Sequence, residues 1–572
     1  MDSRQTLRYN EDGHVVFVSG TMGIVFNRHT VHQTFYQGHV HPLISLDVNS
    51  KGRIAASGEL HVDGDPEIHI WDAKTCRAIA TLKGVHSQGV TCLSFSPSGD
   101  CLVSLGQDSL HSLAIHYSPS NTWTDGHLVC SVSVSPHKML WCSFVEGNEY
   151  PIAVGGAGGD KSGVFFFRVV RGNAERLRGT FGKKFKIQPV LCAVAALTVG
   201  KPPLPSVAAA DAASGMTAVS AVNSNKLLMP SLAASSSSSV GSERALICGT
   251  VSGYLYAFFN YKVVARISAH ETSIYAISSS NGGLYITAGK DGKVKLWRDD
   301  FQLMHTFKTP LFVPRPYGVP VHSVVLDNKG GRTALVGMRS GEVYEIALQN
   351  QSHFLLLETH ADLELHAGSP NPMDPDQYAT AGDDGIVRVW SLAKKYCLRR
   401  LDLECASRAV CWSPDGTVIV VGIGRGGVAT TTVNEDGAFI VLDSQSLEIV
   451  KEERKSKQFI TYIYFSPNEQ MLALGSDDGR VYLHDVIDYR LLSVVETGIR
   501  ITSAEAAAGL KCAVTTFDFS ADSKYLRVAT STQDLVYYQI ETAVVVSHNP
   551  AVAFADTKWA SHHVPYSWTA QG

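Results

Sequence analysis

The chain has no cysteine pair at metal-binding spacing, no surplus of charge of either sign and no apolar run long enough to cross a bilayer. Its eleven cysteines are scattered: Cys92 and Cys101 lie nine apart, Cys405 and Cys411 six apart. Neither spacing resembles a zinc knuckle. Most cysteines sit inside strand-like apolar runs, such as Thr91-Cys92-Leu93 and Val410-Cys411-Trp412, which reads as free buried thiols in a reducing compartment. A formal net charge of -4 exerts no strong pull on nucleic acid or an anionic membrane. The longest apolar stretch, 188–200, falls well short of a membrane span. The opening Met1-Asp2-Ser3-Arg4-Gln5-Thr6 is polar and carries no signal-peptide core. The expectation is a cytosolic protein, or one attached to a cytosolic structure.

Catalytic signatures are also missing. The glycine-rich 155–163 segment departs from phosphate-loop spacing, because Asp160 separates Gly159 from Lys161 and sets negative charge where phosphate would lie. It falls between two strand-like runs and reads as a hairpin, as does 422–427. No serine occupies a G-x-S-x-G elbow. The histidine pairs His29/His32, His39/His41 and His562/His563 come without the carboxylate or cysteine set of a metal site. The sequence therefore reads as non-enzymatic, with no cofactor and no metal.

What the chain does have is a recurring string: a tight acidic turn, then a strand ending in Trp or a substitute. Ala-Gly-Lys-Asp-Gly-Lys-Val-Lys-Leu-Trp occupies 288–297, Ala-Gly-Asp-Asp-Gly-Ile-Val-Arg-Val-Trp 381–390, and Gly-Ser-Asp-Asp-Gly-Arg-Val-Tyr-Leu-His 475–484. A period of roughly 40–50 residues with this signature predicts an all-β fold of WD40-type β-propellers built from four-stranded blades. At 572 residues the length suits two propellers in tandem.

Apolar alternation against turn residues places an opening strand pair at 15–26, then units starting near Leu43, Val90, Ser131, Val190, Ser273 and Val319. A second series starts near Leu363, Ala409, Ile460 and Val514, followed by a fragment from Ala551. Three units share an apolar strand followed by Ser-Pro, at 93–97, 409–414 and 463–467; proline there fixes one backbone angle of a hairpin turn. The predicted organisation is an N-terminal tail at 1–13, a first propeller of about seven blades at 14–361, and a second at 362–572 that is incomplete at the C-terminus. The segment 201–243, rich in Ala and Ser with a five-serine run at 235–239, reads as a disordered insertion in the first propeller.

The chemistry-bearing constellations read as structural. In WD repeats a His before the first strand, a hydroxyl on a middle strand, an Asp in a turn and the closing Trp form a hydrogen-bonded network. His270, Thr287, Asp291 and Trp297 fit this pattern, as do His360, Thr380, Asp384 and Trp390. Repetition between blades points to architecture instead of a single active site. Two basic clusters could meet an acidic polymer: Lys183, Lys184 and Lys186, with Arg176 and Arg178 nearby, and Lys394, Lys395, Arg399 and Arg400. Solvated blade edges that discourage aggregation are the plainer reading of each.

The order of units resembles the echinoderm microtubule-associated protein-like family. The matching stretches are the hydrophobic entry at 15–18 running into Gly38-His39, the first blade with Ile68-His69-Ile70-Trp71-Asp72, the later blade at 465–479, and the Trp-centred tail 556–561. The resemblance implies tandem atypical WD propellers that bind tubulin or microtubules without catalysis. A near-neutral chain suits a site where geometry selects the partner. This favours a ciliary or flagellar axoneme within the cytoskeleton, including the inside of a doublet microtubule, with other axonemal proteins as partners and neither nucleic acid nor membrane. The rival expectation is a soluble WD40 adaptor that presents partners to a complex such as a ubiquitin ligase.

Overall fold

The computed structural model describes residues 5–145, 149, 151–156, 163–197, 244–280, 283–308, 319–327, 332–360, 364–403, 405–424, 437–456, 458–496, 512–542, 544–546 and 550–564. The 201–243 insertion lies outside these residues, as do most of the 155–163 and part of the 422–427 glycine-rich segments.

Among the described residues the strands form nine antiparallel four-stranded sheets and one eight-stranded sheet. The larger sheet holds two four-stranded units, joined where Leu60 pairs Gly89 and His61 pairs Gln88. The result is a WD40-type propeller architecture of successive blades. We number them 1 to 11, spanning 8–36, 43–82, 88–133, 139–178, 190–268, 274–308, 321–357, 365–402, 407–454, 460–496 and 514–545. The only helical turn among the described residues is Pro550–Ala553.

Each blade is a meander in which every strand pairs with its sequence neighbour. The middle strands are nearly all buried: Leu102 to Leu105 in blade 3 and Leu472 to Leu474 in blade 10 are no more than 1% exposed. Outer strands alternate, as Asn173–Arg178 does. This follows from blades packing face to face, so that middle strands are covered on both sides while the outer strand meets water.

The chain divides into two compact units, 1–357 and 358–572. In the first, blade 1 packs on blade 2 through Val16, Val25, Tyr36, Leu46 and Trp71. It packs on blade 7 through Leu7, Val15, Phe26, Val325 and Leu335, so seven blades close on themselves. In the second unit, blades 8 to 11 pack in sequence through the successive apolar faces that blades 8 and 9, 9 and 10, and 10 and 11 share.

Inner strands leave one edge of backbone groups without a ladder partner, and buried groups of that kind need one. Side chains of neighbouring inner strands supply it. Ser45 Oγ donates to the Val90 carbonyl at 2.7 Å, and Asp47 accepts from Phe95 N at 2.8 Å. Ser369 accepts from Trp412 N at 3.1 Å, and Thr461 donates to the Val514 carbonyl at 2.6 Å.

Four local expectations differ from the structure. The opening pair is a complete blade, completed by Arg8–Tyr9 and His32–Tyr36. Residues 8 and 9 therefore pair with Val16 and Val15 instead of lying in a tail, and Gln5 N donates to the His322 carbonyl at 3.2 Å. Ser131 does not open a blade. It sits in the outer strand His127–Ser133 of blade 3, whose alternation imitates an inner strand; blade 4 opens at Met139–Phe144. The fragment after 551 is the helical turn, with Pro550 at its first position, where a missing N–H costs nothing. Finally, the units divide before Glu358, because the His360 imidazole serves blade 8.

Candidate functional site

The predicted network residues come together in blades 6 and 8. In blade 6, His270 Nδ1 lies 3.0 Å from the Asp291 carboxylate and Nε2 lies 2.9 Å from Thr287 Oγ1. The Trp297 indole N–H donates to the same hydroxyl at 2.9 Å. In blade 8, His360 lies 3.1 Å from Asp384 and 2.7 Å from Thr380, which accepts from Trp390 Nε1 at 2.7 Å. The turn places each aspartate: Asp291 also accepts from Lys293 N. Gly253, at φ +78°, accepts from the amides of Ala269 and His270 and so fixes the loop that carries the imidazole.

Electrostatics keep these carboxylates charged. Burial alone would raise both. At Asp291 the hydrogen bond and charge of His270, with two backbone N–H groups, outweigh it and the carboxyl lies below its ordinary value. At Asp384 the His360 bond and the Arg388 guanidinium bring it down to about 2. Arg388 is fully buried and donates to Asp384 at 2.7 Å and to Glu358 at 3.1 Å.

Three further blades carry versions that sequence reading did not pick out. In blade 2, His39 bridges Glu59 at 2.9 Å and Ser57 at 2.7 Å, and Trp71 donates to Ser57 at 3.0 Å. The carboxylate here comes from a strand instead of a turn. In blade 3, His86 bonds Ser104 and Ser112, each at 2.7 Å, and Ser112 donates to Asp108. The Trp position of this blade holds His116, opposite Leu102. In blade 10, Ser456 takes the place of the His, bonding Ser476 at 2.7 Å and Asp478 at 2.9 Å. Gly-His and Trp signals mark blade 2, whereas substituted partners conceal the networks of blades 3 and 10, though not the blades themselves.

Blade 2 also gathers the one metal-capable group among the described residues: His39, Glu59 and His69, whose ligand atoms lie within 4.8 Å of one another. Each ring nitrogen already has a partner. His69 bonds Tyr36 at 2.7 Å and Glu67 at 3.0 Å, and it stacks on His39 at 3.8 Å. Burial lowers the His39 pKa to about 4, so the ring is neutral, donates to Glu59 and accepts from Ser57. The arrangement is a saturated hydrogen-bond network.

The basic clusters differ in kind. Lys183, Lys184 and Lys186 are exposed on a loop that is anchored from below. Phe181 packs edge-on against Tyr256 and Phe258, Phe185 against Tyr256. The Tyr256 hydroxyl donates to the Lys186 carbonyl and accepts from Gln188, each at 2.8 Å. Nearby Arg176 donates to the Val134 carbonyl. In the second cluster Lys394 and Lys395 are exposed at a turn. Arg399 bonds Gln377 at 2.6 Å, and Arg400 pairs with Glu358 at 3.0 Å, so the arginines face inward duties.

The tail closes over blade 11. Asp518 is buried and accepts from Arg527, Ser561 Oγ and the amides of His563 and Val564. Trp559 lies 4.5 Å from the Arg527 guanidinium, and Phe554 stacks on Tyr537 at 4.8 Å.

Blades of this topology, with hydrogen-bonded His–hydroxyl–Trp clusters, define a tandem WD-repeat β-propeller protein. Residues 76–111 and 261–298 match the WD domain, G-beta repeat. Residues 369–572 match the echinoderm microtubule-associated protein second beta-propeller. Similarity to curated proteins extends over 98% of the chain. Human echinoderm microtubule-associated protein-like 2 is 22% identical, with 75% of its length covered. The 77 kDa echinoderm microtubule-associated protein of Lytechinus variegatus is 23% identical with 73% covered. Echinoderm microtubule-associated protein-like 4 of Xenopus laevis is 23% identical with 54% covered. The chain is thus similar along nearly its whole length to the echinoderm microtubule-associated protein-like family, the resemblance read from its entry segment, blade order and tail. Among the described residues, no helix is long and apolar enough to cross a membrane.

Proposed function

We propose that the chain is a non-enzymatic scaffold that binds tubulin in microtubules, and that it works in a ciliary or flagellar axoneme, on the inner face of a doublet. The carrying observation is the family similarity across 98% of the chain, to proteins named for microtubule association. The anchored lysine loop between blades 4 and 5 supports it. A rigid backbone that displays three ammonium groups loses little entropy on meeting an acidic surface. Polar residues of the WD networks are turned to one another and serve to hold the blades in register. The near-neutral net charge favours a partner selected by shape over one gathered by long-range attraction, as at a crowded inner wall.

Co-sedimentation with taxol-stabilised microtubules, closed and opened into sheets, tests the reading. The full chain pellets, better with sheets, and Lys183→Glu/Lys184→Glu/Lys186→Glu weakens pelleting by on the order of tenfold. A chain that stays in the supernatant with both forms, as a soluble adaptor would, overturns it. A tagged copy distributed along the flagellum supports the axonemal placement; a diffuse cytoplasmic copy removes it.

A further inference from the structure

Inner-strand side chains pin each blade to the next through hydroxyls or carboxylates at most of the junctions described above. Between blades 3 and 4 the pin is a thiol, and it meets a second thiol. Cys142 N donates to Cys92 Sγ at 3.4 Å, and the Cys92 thiol in turn faces the carbonyls of Cys142 at 3.8 Å and Leu93 at 3.7 Å as donor. Both side chains also share one apolar cluster, with Cys92 packed against the buried group that contains Cys142. Cys192 occupies the corresponding inner-strand position, but its Sγ reaches the Ile274 carbonyl at 3.6 Å; Cys411, two places further along its own strand, reaches the Trp412 carbonyl at 3.3 Å. Cys142 is buried and Cys92 partly exposed.

We propose that Cys92 and Cys142 form an oxidation site for hydroperoxides, closing to a disulfide that ties the inner strands of blades 3 and 4. The roles follow from the geometry. Cys92 sulfur accepts the Cys142 amide N–H and is the less buried of the two, so it is the one that meets the oxidant. Accordingly, the Cys142 thiol's hydrogen bond holds the Cys92 pKa below its ordinary value, while the same bond and burial raise Cys142. The Cys92 thiolate attacks one peroxide oxygen, the O–O bond breaks, and the departing hydroxide takes a proton to become water. This leaves a sulfenic acid at Cys92. Cys142 sulfur then attacks Cys92 sulfur, the S–O bond breaks, and the leaving hydroxide carries off the Cys142 proton as a second water. Two thiols lose two electrons, and one peroxide is reduced to two waters.

The test uses the full chain. Reduced protein is exposed to hydrogen peroxide, remaining thiols are blocked with N-ethylmaleimide, and the unreduced digest is read by mass spectrometry. A cross-linked pair of peptides carrying Cys92 and Cys142, reversed by dithiothreitol and missing in Cys92→Ser, is the expected result. In unoxidised native protein, iodoacetamide labels Cys92 faster than every other cysteine, on the order of tenfold; this reading needs no variant. Cys92 found only as sulfinic or sulfonic acid, a disulfide joining either residue to another cysteine, or Cys92 labelled no faster than the rest overturns the proposal.

Discussion

His116 gives the sharpest test of how these blades treat a buried polar group. It occupies the Trp position of blade 3 and is 1% exposed. Neither ring nitrogen has a hydrogen-bond partner beyond an electrostatic interaction with the Leu102 backbone. Burial first, and the neighbouring His86 second, lower its pKa to about 4. A histidine whose pKa is depressed on folding binds its proton more readily in the unfolded chain. Its contribution is therefore intact above pH ~6.5 and drains away as the pH falls toward 4. With those two values, the loss between pH 7.5 and 5.5 is about 1.3 kcal/mol, rising to about 2.5 kcal/mol at pH 4.5.

His116→Leu removes the titration at similar volume. At pH 7.5 the variant is expected to match the wild type or exceed it by about 1 kcal/mol, since two unsatisfied polar atoms leave the interior. At pH 5.5 the gap widens by the further 1.3 kcal/mol or so, about 2 °C in the melting temperature of a unit this size. Calorimetry at both pH values reads this as the wild-type-minus-variant difference in whichever transition the substitution moves. His39 is lowered to about 4 as well, so the variant keeps roughly half of the acid sensitivity that the two rings impose together. A gap of the same size at both pH values refutes the reasoning, because it means that His116 titrates alike in the folded and unfolded chain.

Other outcomes follow from the same interior. Thr287→Val strands the Trp297 N–H and one His270 nitrogen, and is expected to cost about 2–4 kcal/mol, whereas Thr287→Ser stays within about 1 kcal/mol, read by urea denaturation. Asp384→Asn leaves fully buried Arg388 with Glu358 as its remaining carboxylate and is expected to cost about 3 kcal/mol. The wild type loses the Asp384 contribution as pH falls from ~4 through 2, and acid titration of the variant lacks that component. Gly253→Ala places a Cβ against the His270 carbonyl, with Thr272 O 2.8 Å away, at φ +78°; a loss above about 3 kcal/mol is expected in thermal melts, while exposed Gly172→Ala costs about 1 kcal/mol.

Legibility from sequence tracked how locally each feature is encoded. Blades 6 and 8 were readable because the His, hydroxyl, Asp and Trp all fall within one repeat at constant spacing. The network of blade 3 was not, although the blade itself was placed, because the turn before its closing strand is longer and Trp is replaced by His116. Arg399 and Arg400 looked like surface charge, since a run of cations carries no mark of which members fold inward onto Gln377 and Glu358. The Cys92–Cys142 contact was beyond reach for another reason: it joins strands fifty residues apart whose adjacency exists only once blades stack.

Blade 11 shows why substitution within the networks is tolerated. Its Asp518 has no imidazole from a preceding loop to bond, yet it is held well below the carboxylate range. Burial opposes this, but it is outweighed by His563, Ser561 and two backbone amides. The tail from 559 to 564 thus performs, from the other end of the repeat, the service that His270 and His360 perform from its beginning. The physical requirement is that a charged carboxylate inside stacked sheets be surrounded by donors; which residue supplies them is secondary. Ser456 on Asp478, His39 on Glu59 and the tail on Asp518 are three solutions to that one constraint.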